Sequence, residues 1–219
     1  MAKTSAEIGI AVLRRDTAPL PAALDRYLAD HSSGEVSILG NPDILANQLL
    51  ALFCSVRCPG DLILKTYDLA RSLRDNGRPV IGGFHSPMEK ECLRLLLRGT
   101  QPVVICPARS LKGMRVPRDW RGPLADGRLL LLSPFAEKSR RVTAGLAAAR
   151  NKFVAASAQS VFIAHAEPGG KTEDFCHEVL TWGKPVLTFE SAENANLIAL
   201  GASPVRPETI VQELRRNVG

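Results

Sequence analysis

LLALFCSVRCPGDLILKTYDLARSLRDNGRPVIGG, residues Leu49 to Gly83, reads as strand, loop, helix and strand in succession. Leu49 to Ser55 is a continuous apolar run, the pattern of a strand buried on both faces. From Asp61 to Asn76 the positions Leu62, Thr66, Leu69, Ala70 and Leu73 share one helical face, and Gly77 follows as a helix-ending residue. Pro79 to Gly83 is the next strand, with proline first, where no ladder donor is lost. A strand, a covering helix and another buried strand are the repeating unit of a mostly parallel sheet.

The same alternation extends both ways. Upstream, Glu35 to Leu39 reads as a short strand. Downstream, Pro87 to Arg98 is a helix with Met88, Cys92, Leu95 and Leu96 inward, and Pro102 to Cys106 and Arg128 to Leu132 are strands. The link between those strands, Ala108 to Gly127, is turn-rich and carries Lys112, Arg115, Arg118 and Arg121. Arg141 to Ala158 is an alanine-rich helix, Ser160 to His165 a strand, Glu173 to Trp182 a helix and Pro185 to Phe189 a strand. Asn194 to Leu200 and Pro207 to Arg216 are closing helices. The fold class predicted is α/β, a doubly wound, mostly parallel Rossmann-like sheet in one domain over 35–219, preceded by a lead-in over 1–34.

Charge narrows the partner. The 219 residues carry 28 Lys+Arg against 22 Asp+Glu, a net charge of +6, which favours an anion: nucleic acid, nucleotide or acidic lipid. No apolar run approaches the roughly 20 residues of a membrane span, and Met1 to Ile10 has no signal-peptide pattern, so a soluble cytoplasmic protein is expected. Of five cysteines, Cys54 and Cys58 form a C-x3-C with no second pair to complete a metal site. Reduced, buried thiols are the expectation.

In a doubly wound sheet, ligands bind beyond the carboxyl ends of the strands. Ser55-Val56-Arg57 joins a strand to a helix start, where backbone N–H groups and Arg57 suit a phosphate, although an ordinary turn with a solvated arginine has the same composition. Gly82-Gly83 lets a ligand or another backbone come close, or serves only a tight strand-to-helix turn. Arg150-Asn151-Lys152 sets two cations and an amide within an apolar helix, with Arg140 and Arg141 at its front. Glu167 to Thr172 supplies Gly169, Gly170, Lys171 and Thr172, the parts of a phosphate cradle without a Walker A spacing. No catalytic triad, metal cluster or cofactor motif can be assembled, so no cofactor and no metal are expected.

Together these loops resemble the DNA processing protein A (DprA/Smf) family, within the wider group that also holds the LOG-type nucleotide phosphoribohydrolases. Ser55-Val56-Arg57 stands where the family has Gly-Ser-Arg, and Val80 to Phe84 where it has its v-S-G-l-A segment. Arg150-Asn151-Lys152 with Ser157 is similar to its R-N-R helix and the serine that follows, and Asn196 to Ala202 to its close of Asn, Leu-Ile and Gly-Ala. Two departures stand out: Cys54 replaces the family glycine, and Phe84 to Glu89 replaces A-x-G-I-D. The resemblance implies a single-stranded DNA-binding protein of DNA processing and recombination, with Arg57, Arg150, Asn151 and Lys152 at the phosphates. It also implies a homodimer and a RecA-type recombinase as partner. The alternative is a LOG-like nucleoside monophosphate hydrolase or nucleotide sensor, whose acid would be Glu167, Glu173 or Glu178.

Overall fold

A computed structural model of the chain describes residues 9–14, 25, 35–207, 209 and 210. Its strands are β1 (Ala11–Arg14), β2 (Glu35–Gly40), β3 (Leu50–Phe53), β4 (Val80–Gly82), β5 (Val103–Ile105), β6 (Leu129–Ser133), β7 (Ser160–Ile163), β8 (Val186–Phe189) and β9 (Ser203–Val205). Its helices are α1 (Gly60–Asp75), α2 (Pro87–Leu96), α3 (Arg118–Ala125), α4 (Ala144–Ser157), α5 (Lys171–Thr181) and α6 (Ala195–Leu200).

One sheet runs in the order β1-β2-β6-β5-β4-β3-β7-β8-β9. The seven strands from β6 to β9 pair in parallel, whereas β1 with β2 and β2 with β6 pair antiparallel. The doubly wound, mostly parallel sheet expected from the alternation is therefore the fold observed. Side chains alternate across it as a pleat requires. Leu50 and Leu52 enter a core capped by Leu62, Leu69 and Leu73 of α1, Cys92 and Leu96 of α2 and Leu124 of α3. Ala51 and Phe53 enter the opposite core, closed by Phe153 and Val154 of α4, Cys176 and Val179 of α5 and Leu197 of α6.

The buried face of α1, comprising Leu62, Thr66, Leu69, Ala70 and Leu73, is the face its periodicity predicts. On α2, Leu93 is buried and Leu95 only partly so, a shift of the inward face. The link over 108–127 is not wholly turn: α3 lies within it, its Trp120 and Leu124 packed on the core. Gly122-Pro123 inside that helix hides it from a propensity reading. α4 starts at Ala144 rather than Arg141, because Thr143 accepts a hydrogen bond from the Leu146 N–H (3.2 Å) and caps it. Arg140 and Arg141 thus lie in an exposed segment before the helix and not in its first turn.

Two edge strands were not predicted. β1 falls in the segment expected to be a lead-in, and β9 follows α6 and pairs with β8 in register Thr188↔Pro204. The Glu190 N–H donates to the Val205 carbonyl at 2.9 Å. The helix expected over 207–216 lies outside the described residues apart from 207, 209 and 210. No helix among the described residues is long and apolar enough to cross a membrane.

Candidate functional site

The chain winds β3→β4→β5→β6 to one side and then returns to place β7 on the other side of β3. The loops leaving β3 and β7 diverge to opposite faces, and a crevice opens between them at this reversal. Backbone bonds fix its rim: the Ser55 N–H donates to the His165 carbonyl (3.0 Å), and the Glu167 N–H to Ser55 Oγ (3.3 Å). The crevice holds about 540 Å³. Small residues at the front of α4, Ala144, Ala147 and Ala148, leave it open along one wall.

Its base is formed by two buried charged side chains, Glu89 and Arg150, each bonded to the backbone. Glu89 accepts the Cys54 N–H on Oε1 (3.1 Å) and the His85 N–H (2.7 Å) and Ser86 N–H (3.4 Å) on Oε2. Ser86 Oγ accepts the Glu89 N–H (3.2 Å), closing a reciprocal cap on α2. Arg150, only 4% exposed, donates from Nη1 to the Cys106 carbonyl (3.0 Å) and from Nε to Asn151 Oδ1 (2.8 Å). Burial pulls the Arg150 guanidinium below its ordinary value, and the negative charge of Glu89 acts against that.

The glycines next to this base make room for it. A Cβ at Gly83 would sit 1.8 Å from Arg150 Nη1, so the arginine occupies the space that the missing side chain leaves. At Gly82 a Cβ would stand 3.0 Å from the ring of Phe84, whose φ of 46° is in the left-handed region. Close approach, the reason for expecting glycine here, is therefore satisfied by the protein's own side chains.

On the facing wall, Lys171 and Thr172 open α5. Lys152 pairs with Glu178 at 2.6 Å beside Asn151. The cradle expected from the glycines before α5 is closed by its own chain. Gly169, at φ 69°, donates its N–H to Glu173 Oε2 (2.6 Å), and the Gly170 N–H donates to the Glu167 carbonyl (2.9 Å). Glu173 Oε1 accepts from Asn196 Nδ2 (2.6 Å), which also reaches the Ala166 carbonyl (3.1 Å). Asn194, fully buried, ties Nδ2 to the Ala164 carbonyl and Oδ1 to His165 Nδ1. Asn194 and Asn196 thus brace the far rim.

Of the predicted site residues, Arg150, Asn151, Lys152, Lys171 and Thr172 line one crevice. Arg57 does not join them: its side chain is 85% exposed, lies 3.4 Å from Glu167 and faces a neighbouring groove. Neither the bonding of Glu89 nor the contact between Cys54 and Cys58 is legible in the sequence, where Glu89 lies near the Gly82-Gly83 edge and the two cysteines form a C-x3-C. Those two thiols are in hydrogen-bonding contact, which pulls Cys58 below the usual thiol value and pushes Cys54 up. Burial holds Cys92 and Cys106 up at about 12 and Cys176 at about 11. One thiol of the five should therefore react fast with an aromatic disulfide reagent in the native protein, and faster than free cysteine as pH falls below neutrality. Cys58→Ser should remove that phase; two fast thiols, or a fast phase that survives the substitution, would contradict the assignment.

No family model matches this sequence, and no curated protein matches it. Solved structures do. The chain is similar to DNA processing protein A from Helicobacter pylori, described for its single-stranded DNA binding mode, with a TM-score of 0.77 at 18% identity over 96% of this chain and 98% of that one. The chain has the fold of DNA processing protein A. The Streptococcus pneumoniae DprA superposes with a TM-score of 0.75 at 15% identity, covering 93% of this chain and 74% of that one. A molybdenum cofactor binding protein from Rippkaea orientalis reaches 0.56 at 12% identity over 79% of this chain and 98% of that one. On the DprA fold, the Ser55-Val56-Arg57 and Arg150-Asn151-Lys152 segments fall on the crevice or its rim, at the reversal of strand order.

Proposed function

We propose that this protein binds single-stranded DNA at the carboxyl edge of its sheet, as a DprA-like factor in DNA processing and recombination. The observation that carries the reading is the convergence of Arg150, Asn151, Lys152, Lys171 and Thr172 on one crevice at the strand-order reversal, with Arg57 on its rim. Lys171 is exposed, and among the described residues no ion pair engages it, so it meets a phosphate without first leaving a carboxylate. Lys152 and Arg57 exchange Glu178 and Glu167 for phosphate. Arg150 acts as a positioning residue, holding Asn151 through its Nε bond. The same reading makes a RecA-type recombinase the recipient of the strand and a homodimer the working state.

Binding without turnover is favoured over nucleotide hydrolysis by the use of Glu173. Both its oxygens are taken, by Gly169 and Asn196, neither Glu173 nor Glu167 lines the crevice, and Glu178, which does line it, is paired with Lys152. A fluorescent oligo-dT strand titrated across a salt series tests the reading, with a duplex of equal length as control. Single-strand preference is expected, and Lys171→Ala should lower the log–log salt slope by about 0.7, one phosphate's share. Equal affinity for duplex, or no binding at low salt, would refute it. Release of free base from nucleoside monophosphates would establish the hydrolase alternative instead.

A further inference from the structure

Beyond the crest formed by Val56 and Arg57 lies a second groove, of about 600 Å³, between α1 and α2. Val56 is 72% exposed on that crest, an apolar side chain standing in solvent between the crevice and this groove. The groove takes Arg57, Lys90 and Arg94 against one acid, Glu91, and its apolar lining includes Tyr67 of α1 and Met88 of α2. Glu91 pairs with Arg94 three residues on, with both side chains substantially exposed. Among the described residues, no ion pair engages Lys90.

The cations have a spacing. Lys90, Arg94 and, just past the end of α2, Arg98 recur at every fourth residue, and all three are exposed. Four residues advance a helix by about 6 Å, close to the step between successive phosphates in an extended single strand. A duplex would present its phosphates on two rails, but this groove has basic residues along one wall and an aromatic side chain on the other. That asymmetry matches one sugar–phosphate backbone with its bases turned to one side.

We propose that the groove between α1 and α2 takes the continuation of the single strand after it leaves the crevice. The proposal rests on the single-strand reading of the crevice itself. The strand crosses the Ser55-Val56-Arg57 crest and lays its phosphates along Lys90, Arg94 and Arg98. A base rests against Tyr67 and Met88. Arg57, outside the crevice, serves both segments from the crest.

The test compares two fluorescent oligo-dT strands, one of about 4 nucleotides that fits the crevice alone and one of about 12 that spans both. Wild-type protein and a Lys90→Ala, Arg94→Ala double variant are titrated with each. Both positions are exposed and away from the core, so folding is retained. For the long strand, the double variant should lose at least about tenfold in affinity, and its salt slope should fall by about 1.4, two phosphates' share. The short strand should bind both proteins alike. Tyr67→Leu should weaken the long strand by about fivefold or more, and Tyr67→Phe should restore it, because a phenyl ring keeps the stacking face. Equal losses for both strands would mean that the cations act on the crevice and would overturn the proposal. So would an unchanged long-strand affinity and slope. A wild-type protein that binds neither strand would overturn the crevice reading, and this one with it; short-strand binding with no gain from length would overturn only this one.

Discussion

Glu89→Ala should lower the unfolding free energy by about 3–5 kcal/mol, read from urea denaturation. The carboxylate accepts three backbone N–H groups, those of Cys54, His85 and Ser86, and the residue is only 7% exposed. Truncation leaves those donors facing a methyl group, each losing a charge-assisted bond. It also removes the negative charge that offsets the buried Arg150 guanidinium. Two segments come loose together, the end of β3 and the start of α2, and both border the crevice. Single-strand affinity should therefore fall alongside stability. Glu89→Gln should be milder than alanine, since it keeps one acceptor oxygen but turns an NH₂ group toward N–H donors. A loss below about 1 kcal/mol on Glu89→Ala would show that solvent or a neighbour replaces the carboxylate.

Gly83→Ala is the second large effect, and its cause is an arginine rather than backbone strain. The new methyl group would lie 1.8 Å from Nη1 and 2.0 Å from Cζ of Arg150. An exposed arginine would swing aside, but this one is buried and bonded to the Cys106 carbonyl. Displacing it breaks a charge-assisted hydrogen bond and should cost about 2–3 kcal/mol. A double-mutant cycle isolates the reason: with Arg150→Ala in place the clash disappears, so Gly83→Ala should then be nearly silent. The coupling should reach about 1–3 kcal/mol. Additive losses would place the cost in the backbone instead.

These two residues also mark what the sequence reveals and what it conceals. The α1 stripe, the buried run of β3 and the run of strand–helix alternations fix the sheet, because each is a local pattern with its own period. The short elements α3 and β9 have three to eight residues and owe their form to neighbours, so no period exposes them. At the site, the cations and glycines are legible as residue types at loop positions. Their pairings are not. That Gly83 serves Arg150, that Glu173 closes the Gly169 loop, or that Glu89 reaches back to Cys54 depends on contacts 4 to 67 residues apart in the chain. Glu89 is legible only as an acid near the Gly82-Gly83 edge; that it turns inward depends on the fold. Cys54 and Cys58 read as a C-x3-C that completes no metal site, and only the turn between them brings their sulfurs together.

The far edge of the sheet decides how copies of this chain avoid one another. In β9 the Val205 carbonyl faces inward to accept from Glu190, so by alternation its neighbour Pro204 turns its nitrogen outward. That nitrogen carries no hydrogen. An incoming strand would find no donor at the centre of this three-residue edge, and ladder growth from one molecule to the next is blocked there. The proline thus works as a gatekeeper against fibrous, edge-to-edge assembly in a protein whose sheet is otherwise long and strongly apolar. Replacing it with a β-branched residue would trade that safeguard for strand propensity.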